Sequence, residues 1–148
     1  MSRTSSVKAW ILADPLRAVL AVIAVTTALT GAVQMVAPGF VLGALGAETT
    51  VTSRHFFATV GMFMVVVGGL LTHTLLRPTP SAEVLLWSAL QKFGAFLAIL
   101  LGVLNSVFAG LALGVAIFDL ATAVLLGIAW RRVRRRAVAP SAPVRASR

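Results

Sequence analysis

Two residues of opposite charge stand where charge is expensive. Lys92 and Asp119 each interrupt a long apolar run, over residues 83–104 and 107–130. An ionisable side chain near the bilayer centre costs on the order of 2.5–3.5 kcal/mol on insertion scales, so such groups turn inward, pair, or mark proton, ion and substrate pathways. Only the Asn105-Ser106 turn separates the two runs. The Lys92 ammonium is therefore expected to meet the Asp119 carboxylate, its stem extending along the helix to reach the deeper acid. Such a pair either fixes helix packing as a salt bridge or serves as a proton, ion or substrate site. Gln91, beside Lys92, and Gln34, near the end of the first apolar run, complete the expected intramembrane polar centre.

Other chemistries lack their residues. The chain has no cysteine, which removes thiolate nucleophiles, disulfide exchange and Cys-ligated metals. Its two histidines, His55 and His73, fall near opposite ends of one apolar segment, which is poor metal geometry, so no metal and no cofactor are expected. No phosphate-binding glycine loop, hydrolase elbow or zinc-peptidase motif occurs. A Ser-His-Asp triad is disfavoured because the histidines lie near segment ends and Asp119 near a segment middle. No catalytic residue is assigned.

The elements that must position the polar centre follow from composition. With 59% hydrophobic and 11% charged residues, the chain lies far from soluble domains, where about a quarter of residues are charged. Roughly 20 apolar residues cross a bilayer as a helix. The predicted fold is all-α, a four-helix transmembrane bundle over residues 16–130 with spans at 16–37, 54–76, 83–104 and 107–130. Residues 1–15 form an N-terminal segment and 131–148 a basic tail. Pro38-Gly39 closes the first span, residues 40–46 are too short to cross, and Thr52 and Ser53 are candidate caps for the second. The third and fourth spans form a tight hairpin. The first apolar run exceeds a signal peptide's core and lacks a clear cleavage site, so it reads as a retained helix.

Charge sets the orientation. Arg131, Arg132, Arg134, Arg135 and Arg136 follow the last span directly, and Arg3, Lys8 and Arg77 fall on the same side. Clustered arginine marks the cytoplasmic face, so both termini are expected there, in a multi-pass protein of the cytoplasmic membrane. Trp10, Trp87 and Trp130 reach that same boundary. The net charge of +9 is concentrated beside a membrane span, which favours topology and anionic lipid at the cytoplasmic face over nucleic acid.

Each span also carries a seam of small or polar residues. Ala116 and Gly127 flank Asp119 on the fourth, Gly102 follows Lys92 on the third, Gly61 and Gly68 follow Arg54 on the second, and Gly31 precedes Gln34 on the first. Small residues let helices approach closely in lipid. Arg54 opens its span at the outer end, either snorkelling to headgroups or turned toward Gln34 as an anion-binding mouth.

A glycine-containing first helix ending at Pro38, Arg54 ahead of Gly61, Lys92 followed by Gly94, and Asp119 in the fourth helix together resemble small four-helix bacterial membrane proteins of the DoxX-like kind. The resemblance covers residues 16–130 and implies the four-helix architecture. Some members are linked to redox or stress-related membrane complexes, and the lack of cysteine here speaks against a direct thiol role. The leading expectation is a non-catalytic accessory or structural subunit, packed through its seams against a membrane partner or another copy. The alternative is a small transporter or channel-like protein using Lys92 and Asp119.

Overall fold

The computed structural model describes residues 14–138. Five helices follow one another: α1, Pro15–Val36; α2, Pro38–Ala44; α3, Val51–Leu75; α4, Ala82–Leu104; and α5, Ala112–Val138. All but α2 are long and apolar enough to cross a membrane. Arg3, Lys8, Trp10, Arg145 and Arg148 lie outside the described residues.

Local chemistry places the boundaries. Asp14 caps α1, its carboxylate accepting from the Arg17 N–H at 3.5 Å, with Pro15 at the first position, where its missing N–H costs nothing. Pro38 cannot donate into α1 and instead starts α2. The cap of α3 is Thr50, not Thr52 or Ser53. The Thr50 hydroxyl accepts from the Ser53 N–H at 3.0 Å and the Ser53 hydroxyl accepts from the Thr50 N–H at 2.9 Å. This reciprocal capping box satisfies two otherwise orphaned donors and starts the helix earlier than residue 54. Ser81 caps α4 through the Val84 N–H.

The last helix departs from expectation at both ends. Residues 105–111 make a connection longer than the expected Asn105-Ser106 turn. Ser106 adopts φ +59°, outside the helical region, and the Val107 and Phe108 N–H groups fold back onto Gly102 O at 2.8 and 3.2 Å. The Ala109 N–H then donates to Leu45 O at 2.9 Å, which ties this connection to the end of α2 and delays α5 until Ala112. At its other end α5 runs through the arginines instead of stopping at Trp130. Arginine is a good helix former, and cations favour a helix C-terminus.

Four long helices pack as two close pairs, α1 with α3 and α4 with α5, and contact between the pairs is thin. Glycine explains the first pair. A Cβ on Gly31 would lie 2.6 Å from Gly61 O, one on Gly61 would lie 2.6 Å from Gly31 O, and one on Gly68 would lie 2.7 Å from Ala28 N. The α1 and α3 backbones therefore touch, which suits association in lipid, where close packing replaces the hydrophobic effect. The pairs join in a cluster of Leu20, Ala24, Leu71, Leu75, Leu85 and Leu126. That cluster sits at the end where Asp14 and Arg132 meet at 3.9 Å, so the start of α1 and the end of α5 are neighbours. Val22, Val66 and Ile117 are among the large apolar side chains facing outward.

Candidate functional site

Beyond the leucine cluster the two pairs separate around a cavity of about 550 Å³, lined from all four long helices. Sites for small molecules fall in the range of about 300–1,000 Å³. Leu45 and Phe108, from the two connections tied together by the Ala109 bond, contribute lining as well.

Lys92 and Asp119 lie on this lining. Lys92 Nζ donates to Asp119 Oδ1 at 2.6 Å, and the residues are only 6% and 5% exposed. Helical spacing explains the meeting. Leu85, Ser88 and Lys92 form the buried face of α4, while Ala112, Ala116, Asp119, Thr122 and Leu126 are the buried residues along α5. Ala112 and Ala116, both small, share this buried stripe with the acid. Lys92 Nζ also stands 5.6 Å from the centroid of the Phe118 ring, whose face attracts cations. Each charge is thus compensated by its partner, as a low-dielectric setting demands.

The two glutamines are differently served. Gln34 is 8% exposed, and the side-chain oxygens of Gln34 and Gln91 are both buried without a hydrogen-bond partner among the described residues. A buried acceptor left unsatisfied costs about 1–3 kcal/mol. Both residues line the cavity. Gly61 makes room for the first of them, since a Cβ there would lie 2.8 Å from Gln34 Cβ. The glycine that lets α1 and α3 touch therefore also admits a polar side chain to the chamber wall.

The remaining sequence candidates separate by place. Gly31, Gly61 and Gly68 are consumed in contact between α1 and α3, so they are not free seams for a partner. Gly102 lies beneath the Phe108 ring, with a Cβ at that position overlapping Phe108 Cε2 at 2.6 Å. Gly127 faces open space, and Ala116 is buried near Asp119. Arg54 is exposed, its Nε donating to Thr50 O at 3.3 Å and its stem lying across Gly39. Among the described residues the Gln34 side-chain oxygen takes no hydrogen bond from Arg54. Arg131, Arg132, Arg134, Arg135 and Arg136 occupy the last turns of α5, with Arg134 stacked 5.4 Å from the Trp130 ring centroid. Among the described residues no three His, Asp or Glu side chains gather as metal ligands.

Sequence reading overlooked Arg17. Its Nε and Nη2 donate to Leu75 O at 2.8 and 2.5 Å, Nη1 donates to Pro78 O at 3.4 Å, and Nη2 also reaches Arg77 O. One guanidinium therefore satisfies carbonyls freed where α3 ends, fastening α1 to α3 at the leucine end. The available signal was a fork-shaped cation in the first turn of an apolar helix, close to the level at which the next span must terminate. Thr30 and Phe108 of the cavity wall were likewise missed, because helical periodicity alone does not say which polar or aromatic positions border a void.

Comparison with family models, with curated proteins and with solved structures returns no match to this chain.

Proposed function

We propose that the protein binds a small molecule in a chamber between its two helix pairs, as a transporter or carrier would, with Lys92 and Asp119 in the chamber wall. The observation that carries this reading is that the paired charges, although buried between α4 and α5, border the 550 Å³ cavity. A salt bridge serving packing alone needs no void beside it. The thin contact between helix pairs, against the close contact within each, supplies the surfaces along which a chamber opens. By the arginine cluster, the leucine end faces the cytoplasm and the connections at Leu45 and Phe108 face outward. The likeness to DoxX-like proteins belongs to this same reading, as an architecture shared with small bacterial membrane proteins.

Cysteine scanning tests it directly, because the native chain has no thiol. Ala95→Cys, on the cavity lining, should react with a water-soluble methanethiosulfonate in membrane vesicles, whereas Val66→Cys, facing outward, should react far more slowly. Equal, slow reaction at both positions would remove the chamber.

A second reading keeps the accessory subunit. Gly69, Gly94 and Gly127 have open space where a side chain would stand, and these positions remain for a membrane partner or a second copy. Native purification with identification of co-purifying proteins decides this: a stoichiometric partner supports the reading, and isolation of the chain alone opposes it.

A further inference from the structure

Of the five arginines at the end of α5, we infer that Arg132 and Arg136 build a site for the phosphate of an anionic phospholipid in the cytoplasmic leaflet. Their spacing sets them apart. Ala129, Arg132, Val133 and Arg136 fall at i, i+3, i+4 and i+7, and so continue the face on which Leu126 is fully buried. Together they line a cleft with Leu16 and Arg17 of α1. Arg131 and Arg135 do not border it, and Arg134 is stacked on Trp130. Charge that serves topology alone has no need of one helix face. The two side chains also have capacity to spare. Arg136 is exposed and makes no side-chain hydrogen bond or ion pair among the described residues. Arg132 meets Asp14 only at 3.9 Å, with its side chain 56% exposed, and a contact so long and open is weak. Arg17 adds a third positive charge while its guanidinium donates to Leu75 O and Pro78 O. Three cations against one carboxylate leave the cleft positive, and guanidinium forks match phosphate oxygens.

Size and level identify the source of the phosphate. The cleft has a volume of about 60 Å³, space for roughly four to six waters. That admits one phosphate group and excludes an acyl chain, so the tails of a bound lipid must stay in the bilayer. Trp130 marks the level at which indole rings meet headgroups. At 1.5 Å per residue, Arg132 and Arg136 stand about 3 and 9 Å beyond it, against a headgroup zone about 5–7 Å deep on each side of the hydrocarbon. The arginine cluster assigns this end to the cytoplasmic leaflet, which carries anionic lipid. Leu20, Leu75 and Leu85, all buried, form the floor of the cleft and separate it from the chamber.

Native mass spectrometry of the full-length protein in mild detergent tests the inference, with dioleoylphosphatidylglycerol, dioleoylphosphatidylcholine and inorganic phosphate as probes. Phosphatidylglycerol should bind more tightly than phosphatidylcholine, and inorganic phosphate should not displace it. Arg132→Gln with Arg136→Gln should weaken phosphatidylglycerol about thirtyfold, at about fivefold for each arginine near a membrane surface. Arg131→Gln with Arg135→Gln removes the same charge from outside the cleft and should change binding little. Equal weakening by the two double variants would overturn the site in favour of diffuse attraction. Equal binding of the two lipids would overturn the anionic class, and displacement by inorganic phosphate would overturn the lipid as its source. The comparison of probes in the unaltered protein stands however the variants fold, and the reactivity of Ala95→Cys reports on the chamber separately.

Discussion

Gly31 and Gly61 face each other so closely that a β-carbon added to either would lie 2.6 Å from the other's carbonyl oxygen. This reciprocal contact joins α1 to α3, and at the same face Gly61 leaves room for Gln34, whose Cβ an added side chain would approach to 2.8 Å. Alanine at either position must push the helices apart. Overpacking of a well-fitted contact costs about 1–3 kcal/mol. Gly31→Ala and Gly61→Ala should each lower the melting temperature in mild detergent, while Gly69→Ala and Gly127→Ala, with open space beside them, leave it unchanged. Equal melting temperatures for all four variants would contradict the contact.

The ion pair makes a second prediction. Lys92→Met or Asp119→Leu alone leaves a buried charge uncompensated, at a cost of about 3–5 kcal/mol, whereas replacing both is close to neutral. Thermal melting across the double-mutant cycle should show the single variants destabilised and the double variant largely restored. Additive losses would mean that the two side chains do not interact.

Arg17 predicts a local effect. Arg17→Met removes donors to Leu75 O and Pro78 O, and hydrogen bonds from a charged group are worth about 1.5–3 kcal/mol each. Hydrogen exchange should accelerate around residues 74–81 more than in α5. Arg17→Lys should recover only part of the protection, because a lysine cannot present a planar fork to several carbonyls. Unchanged exchange in Arg17→Met would deny the latch.

Topology is open to reporter fusions. The proximity of Asp14 to Arg132, 3.9 Å apart, places the start of α1 and the end of α5 at one end of the molecule. The exposed pair itself contributes little, since such pairs are typically worth under about 1 kcal/mol. A reporter after Gly46 and one after Arg136 should lie on opposite sides of the membrane, the second in the cytoplasm. Both reporters on one side would refute the arrangement.

Much of this molecule is legible in its residues. Apolar length alone placed α1, α3 and α4 to within a few residues, because a helix in lipid must satisfy its own backbone and needs a fixed length to cross. The meeting of Lys92 and Asp119 was readable for a related reason: two charges in successive hydrophobic helices have few other ways to be compensated. Tertiary structure decided the rest. Residues 107–111 are apolar enough to be helix, yet Ser106 and the Ala109 bond to Leu45 O hold them as a connection. Gly61 and Gly127 look alike as small residues in apolar helices, but one lies against a neighbouring backbone and the other beside open space. Periodicity assigns residues to a helix face without saying what that face meets. The cavity beside Gln34 and Gln91 is likewise a property of how two helix pairs fail to close on one another, a distance between surfaces that no single helix encodes.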